Sequence, residues 1–400
     1  MTVLTENTYK PLTNEDAAAL VRKLKLIDGH DLAVSEIGDG NLNLVFRVQS
    51  STESIIVKQA LPYAKVVGES WPLTLDRARI ESEALILAAK YVPDLVPKVL
   101  YSDSTLAVTI MEDLSDHSIL RKSLIEGTAF SKLAAHIGQF TARTAFYTSD
   151  FYLHPFEKKK LVQHFSNPEL CKITEDLVFT DPFFDHDTNE FSSALKPDVE
   201  KIWNDELLKK EAATLKYQFL TQAEVLLHGD LHTGSIFVTE KSTKVIDPEF
   251  AFYGPIGFDL GQFFANIALN YLSQHHHSSE PFNRKETQET LLTVIQETWT
   301  VFQNEFTRLV HEESKEVFAR TPGVLQNVLE KTFIDSVGFA GCEIIRRTIG
   351  LAHVADLDSI PCEDVQLFLK KKALHLGTSL IKSRKSISSI EQFTSIIRGA

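Results

Sequence analysis

Apolar positions divide the chain into a front that alternates and a back that repeats at helical spacing. Residues 11–26 carry an amphipathic helical pattern whose start suits Asn14 and the acidic pair Glu15 and Asp16. From about Leu32 the period drops to two. Leu42, Leu44, Phe46 and Val48 alternate with Asn43, Val45 and Arg47, and residues 54–58 form a compact apolar run. Gly38, Asp39, Gly40 and Asn41 supply the turn into the alternating strand. A helix is predicted over 75–91, with Leu75, Ala78, Leu85 and Leu87 on or near its apolar side. Strands follow at 98–102 and 106–111, so the front predicts a small, mostly antiparallel sheet carrying one helix.

Beyond about Glu112 long helical patterns take over. Three short apolar runs at 226–230, 235–239 and 243–247 interrupt them and read as strands with tight turns. Loops are predicted at 179–191 and 274–280. The change of period predicts an α+β fold with two lobes, a sheet-rich front over 1–113 and a larger, mainly helical back over 114–400, with a cleft between.

Composition narrows the class. Of 400 residues, 43% are hydrophobic and 24% charged, which excludes wholesale disorder. The 41 basic and 54 acidic residues give a net charge of −13, which argues against nucleic acid as a partner. No apolar run approaches the roughly 18–20 residues of a membrane span, and the first residues lack the basic head and apolar stretch of a secretory signal. Three cysteines (Cys171, Cys342 and Cys362) suit a reducing compartment. The expectation is a cytoplasmic enzyme with neither nucleic acid nor membrane as partner.

The strongest chemical signal is the run His228, Gly229, Asp230, Leu231, His232, Thr233, Gly234, Ser235, with Asp247, Pro248 and Glu249 beginning 17 residues beyond Asp230. Phosphoryl transfer needs a group to accept the attacking hydroxyl's proton and carboxylates to hold magnesium on the nucleotide phosphates. Asp230 fits the first role. Asp247 fits the second, with Glu249 a further ligand or a phosphate-side carboxylate, and their hard oxygens suit magnesium. In the front lobe the Gly38–Gly40 turn lets backbone amides approach phosphates, and Lys58 lies 18 residues beyond Gly40. A strand lysine of this kind is oriented by a helix glutamate, for which spacing leaves both Glu81 and Glu83 open.

Together these motifs resemble the protein-kinase-like small-molecule kinases, the aminoglycoside and choline kinases among them. The finer resemblance is to the 5-methylthioribose kinases. It is carried by residues 38–43, 58–62, 68–72, 228–235, 245–250 and 252–259, with Ile345, Arg346 and Arg347, and it spans about 36–355. The resemblance implies a two-lobed protein-kinase-like fold and transfer from ATP, with Mg2+, to the anomeric hydroxyl of 5-methyl-5-thio-D-ribose, an early step of methionine salvage, in a homodimer. It makes Asp230 the base, Asp247 and Glu249 the metal pair, and Asn41, Lys58 and Pro248 parts of the nucleotide site. Glu112, Asp113 and Leu114 match a hinge meeting the adenine, and Arg346 and Arg347 match a pair facing phosphate and sugar. Glu81 is favoured as the lysine's partner, and Trp71 sits in a matching tryptophan-containing loop that covers the nucleotide pocket. Ser235 stands where the broader kinase pattern has a second-metal asparagine, and Asp247, Pro248 and Glu249 replace the usual Asp-Phe-Gly. Both departures fit the methylthioribose kinases.

Plainer readings accompany the sharper ones. His228 and His232 are expected to buttress the loop through hydrogen bonds, against a metallohydrolase reading that no further His/Asp cluster completes. Asp185, His186 and Asp187 read as an exposed loop, His275–His277 as a solvated insertion, Lys158–Lys160 as a solvated face and Cys342 as a helix-packing residue. Neighbours on a helix diverge by about 100°, so one of Arg346 and Arg347 is expected at the substrate and the other as its anchor. Trp71 could equally anchor its own lobe. The rival functions are a kinase of choline, homoserine or an aminoglycoside, and a non-catalytic nucleotide-binding regulator.

Overall fold

The computed structural model describes residues 9–28, 31–37, 42–64, 68–278 and 280–400. Helix α1 (Asn14–Leu24) begins one residue earlier than Asn14 would have capped it. Thr13 is the cap: its hydroxyl accepts the Asp16 amide while the Asp16 carboxylate accepts the Thr13 amide. Strands β1 (Ala33–Glu36), β2 (Asn43–Gln49) and β3 (Ser54–Ala60) follow, then a short hairpin of β4 (Tyr63–Ala64) and β5 (Gly68–Pro72), helix α2 (Asp76–Ala89), and strands β6 (Val99–Asp103) and β7 (Val108–Glu112). The five long strands form one sheet in the order β1-β2-β3-β7-β6, antiparallel at every pairing.

Register decides what this sheet can do. Phe46, Val48, Ile55, Val57, Val108 and Ile110 pack with Leu12, Ala17, Leu20 and Val21 at α1. Each of the Val, Leu, Ile and Phe side chains among them, fully buried, stabilises by roughly 1.5–3 kcal/mol. A slip by one residue would expose that face and bury the other. Because side chains alternate, Lys58, between Val57 and Gln59 and opposite Thr109, stands on the face turned away from α1.

After β7 the chain enters the helical part through β8 (Ser118–Ile119), α3 (Leu120–Ile125), α4 (Leu133–Thr148), α5 (Pro155–His164), α6 (Pro168–Phe179), α7 (Lys196–Asn204) and α8 (Glu206–Thr221). Four short strands, β9 (Val225–Leu226), β10 (Ile236–Val238), β11 (Thr243–Val245) and β12 (Tyr253–Gly254), carry the motif-bearing turns. Helices α9 (Gly257–His277), α10 (Pro281–Glu313), α11 (Val324–Ile349), α12 (Ala355–Asp358), α13 (Glu363–Ser383) and α14 (Ile390–Gly399) complete the chain. Helices α11 and α13 approach closely where Gly341 faces Gly377; a Cβ on Gly341 would lie 2.7 Å from the Gly377 carbonyl oxygen. Among the described residues no helix is long and apolar enough to cross a membrane.

Three expectations need correction. The loop placed at 274–280 is helical through His277, because Gln274 is buried and donates to the Leu124 carbonyl at 3.0 Å. His275–His277 are therefore the last turn of α9, and His277 Nε2 bonds the Asp356 carbonyl at 3.0 Å. Lys158 is buried rather than solvated: its Nζ donates to Asp150 at 2.8 Å and to the Glu224 carbonyl at 2.6 Å, while Lys159 and Lys160 are exposed. The strand expected at 226–230 stops at Leu226, since from His228 onward the backbone bonds to α9 side chains instead. Asp185–Asp187 are exposed and Cys342 is buried within α11, as expected.

Candidate active site

The loop from Leu227 to Ser235 is shaped from both sides. Gly229 adopts a left-handed φ of 85° where it passes against the Phe250 carbonyl, a conformation and a gap that only glycine accommodates. Asp259, in the first turn of α9, accepts the amides of His228 at 2.7 Å and Gly229 at 3.0 Å, and Gln262 accepts that of Leu231 at 2.9 Å. His228 bonds the Ile246 carbonyl through Nε2 at 2.8 Å and accepts the Asp230 amide on Nδ1 at 3.2 Å. His232 accepts the Gly234 amide on Nδ1 at 2.8 Å. Both histidines thus brace the loop, and among the described residues no three His, Cys, Asp or Glu groups are arranged to hold a metal.

This bracing sets Asp230 before a cationic wall. Arg346 Nη2 lies 3.2 Å and Arg347 Nη2 3.4 Å from Asp230 Oδ1. Both guanidiniums therefore reach the same carboxylate oxygen. Glu343, wholly buried one turn earlier on α11, makes this possible by accepting Arg346 Nε at 2.6 Å and Arg347 Nε at 2.7 Å, one on each oxygen. Burial pulls Asp230 upward, but His232 and the two arginines outweigh it and hold the carboxyl well below its ordinary range. Burial likewise opposes the ionised form of Glu343, yet Arg346 and Arg347 bring it down to about 2. A third arginine, Arg121 on α3, donates to Asn266 Oδ1 at 2.7 Å, and Asn266 in turn donates to Glu343 at 3.3 Å.

On the front lobe, Lys58 Nζ donates to Glu81 Oε1 at 2.7 Å and contacts Asp247 Oδ1. Glu83 instead pairs with Arg79 at 3.1 Å, so geometry selects Glu81 where spacing did not. Burial opposes the charge on Lys58, but Asp247 and Glu81 raise its pKa, so it stays a cation. Asp247 has a left-handed φ of 67°, which aspartate tolerates better than most residues. Its side chain is 38% exposed and faces the cleft, close enough to Asp230 for the two charges to interact. Glu249 is only 5% exposed and pairs with Arg77, itself inaccessible on α2. The donor set fits magnesium: two hard carboxylates two residues apart, one open to the cleft, suit an ion that keeps several waters and takes few protein ligands.

The remaining positions are placed as follows. Glu112 ends β7 and accepts the Lys98 amide at 3.0 Å. Asp113 pairs with Arg47 at 3.0 Å, and Leu114 is buried. Pro248 is buried between the two carboxylates, and Ser235 Oγ lies 3.4 Å from His232 Nε2. Trp71 stands on β5, in a hairpin rather than an open loop. Asn41, with the Gly38–Gly40 turn, lies outside the described residues. The sequence reading missed Arg77, Arg121, Asp259, Gln262 and Glu343. Arg77 and Glu81 share a helix face at i,i+4, and Glu343 precedes the arginines by three and four, so spacing carried a signal for both.

The chain matches the model of a phosphotransferase enzyme family over residues 33–273, from β1 into α9. It is 60% identical to a methylthioribose kinase of Geobacillus kaustophilus over 396 residues, 98% of each chain. A methylthioribose kinase of Geobacillus thermodenitrificans is also 60% identical over 396 residues, 98% of each. One from Bacillus pumilus is 49% identical over 394 residues, covering 98% of this chain and 97% of its own.

Proposed function

The chain belongs to the methylthioribose kinases, within the phosphotransferase enzyme family, and from that premise we propose that Asp230 is the base toward the anomeric hydroxyl of 5-methyl-5-thio-D-ribose as ATP phosphorylates it to the 1-phosphate. The chain is a kinase of methylthioribose with a kinase-like α+β fold. The observation that carries the residue assignment is the convergence on Asp230 Oδ1 of Arg346 and Arg347, with Asp247 close enough to Asp230 for the two charges to interact.

A carboxylate held at low pKa is a weak base. The anomeric hydroxyl is more acidic than an ordinary alcohol, so a proton transferred late suits it, with an expected contribution of roughly 10²–10⁴-fold. Arg346 and Arg347 place two buried positive charges where the transferred phosphoryl group meets the acceptor, the larger electrostatic contribution. Asp247 and Glu249 would hold a magnesium ion, which would supply the positive charge that nucleotide phosphates need. Lys58, oriented by Glu81, pairs with those phosphates. Asn41 and Pro248 border them, and the backbone of Glu112, Asp113 and Leu114 meets the adenine. Trp71 covers the pocket. Residues 1–113 would then bind nucleotide and 114–400 supply base and acceptor site, in a cytoplasmic homodimer serving methionine salvage.

The test is ADP release from magnesium-ATP with 5-methylthioribose beside ribose, choline, homoserine and an aminoglycoside, with an ATP-free control. Phosphorus coupling to the anomeric proton in the product supports the assignment. Phosphorylation at another hydroxyl, or equal turnover with another acceptor, overturns it.

A further inference from the structure

Arg77 is wholly buried, and a buried guanidinium is stable only when its donors meet acceptors in good geometry. It meets four. Its Nη1 donates to Asn43 Oδ1 at 2.8 Å and to Glu249 Oε2. Its Nη2 donates to the Leu61 carbonyl at 2.9 Å and to that of Leu42. Leu42 and Asn43 enter β2, Leu61 leaves β3 three residues past Lys58, and Glu249 belongs to the Asp-x-Glu pair. One side chain therefore ties both ends of the central hairpin to the second carboxylate.

The same helix face carries Glu81 one turn on, which holds Lys58 and through it Asp247. Helix α2 thus extends a cation to Glu249 and an anion to the cation on Asp247. We infer that Arg77 is a positioning residue that offsets the charge of Glu249 and so sets how strongly nucleotide binding depends on magnesium. This rests on the assignment of Asp247 and Glu249 to the nucleotide's metal.

The sign follows from charge alone. With Arg77 in place, nucleotide phosphates meet a neutralised Glu249, and a divalent cation meets a weakened field. Without its charge the phosphates are repelled and the cation is drawn in, so nucleotide and metal depend more on one another. Such coupling is reciprocal and commonly amounts to about 5–150-fold.

The experiment is calorimetric titration of the full chain with ADP, in magnesium and in chelator, giving the ratio of the two dissociation constants. Two charge-free variants, Arg77→Met and Arg77→Gln, keep the test available should one fail to fold, and thermal unfolding is followed alongside. Their ratio is expected to rise about ten-fold above wild type, and Arg77→Lys, which restores a charge, to return it to within about three-fold. A folded charge-free variant with the wild-type ratio overturns the inference and leaves Arg77 a packing residue. A wild-type ratio near one overturns the metal assignment itself, a failure distinguishable from the first.

Discussion

His232 Nε2 stands 3.3 Å from Asp230 Oδ2, while Nδ1 of the same ring accepts the Gly234 amide at 2.8 Å. An imidazole that accepts on Nδ1 carries its single proton on Nε2, so the ring donates to Asp230 as a neutral group. Burial, with Arg121 and Arg347 nearby, outweighs the pull of Asp230 and lowers the pKa of His232 to about 4.

Stability should therefore depend on pH through this ring. The unfolded chain takes up the proton first as pH falls through about 6.5, and the folded chain follows only near 4. The contribution is complete above the unfolded value and lost between the two, up to roughly 3 kcal/mol. The urea midpoint measured from pH 7 to 4 should fall in the wild type. In His232→Ala, whose starting stability is lower, the fall should be shallower by about one proton. Parallel slopes would show that the ring is not held neutral. The groups facing it are Asp230, Arg121, Arg347 and the Ser235 hydroxyl.

Asp230→Asn keeps shape and removes the proposed base. Turnover should drop by roughly 10²–10⁴-fold while ADP affinity, proposed to reside in the front lobe, changes little. Arg346 and Arg347 retain Glu343 in this variant, so the wall itself should survive. Normal turnover would remove Asp230 from the mechanism.

Among the described residues Glu343 is the only carboxylate that engages the Nε of both arginines, and it is fully buried. Glu343→Ala leaves two buried cations sharing Asp230 alone, a loss expected to cost about 3–5 kcal/mol. Glu343→Gln keeps one acceptor oxygen and should cost less. The KM for methylthioribose should rise in Glu343→Gln more than the KM for ATP. An equal rise in both would mean that Glu343 supports the whole back lobe rather than the arginine fork.

These residues also show what the chain discloses before it is folded. Lys58, Asp230, Asp247 and the arginine pair stand in short strings whose chemistry is local, and alternation in β2 and β3 already places Lys58 on the face away from α1. Arg77 and Arg121 act through partners 172 and 235 residues away, Glu249 and Asp356, so each resembles an ordinary surface charge in sequence. Lys158 looks like a solvated charge in sequence for a similar reason, one of its two acceptors being the distant Glu224 carbonyl. Helix α9 hides its function differently. It is buried on all sides over Gly257–Gln274, so no solvent-facing stripe marks it, yet Asp259, Gln262, Asn266 and Asn270 form a polar row at helical spacing. That row holds the Asp230 loop at one end and reaches Asp356 through Asn270 at 2.7 Å.

Asp247 offers a test in which backbone and side-chain roles separate. Its φ of 67° lies where most residues with a Cβ lose about 1–2 kcal/mol, asparagine and aspartate lose less, and glycine nothing. Asp247→Asn, Asp247→Ala and Asp247→Gly all remove the ion pair with Lys58, and since asparagine alone keeps an acceptor oxygen for that lysine, the alanine–glycine difference is the one that reports the backbone. Glycine carries an opposing cost in the unfolded chain of roughly 0.4–1 kcal/mol. The alanine variant should nevertheless be the least stable of the three by thermal unfolding, and all three should lose magnesium-dependent turnover. If alanine matched asparagine in stability while turnover was still lost, the left-handed turn would carry no strain and the carboxylate alone would account for the residue.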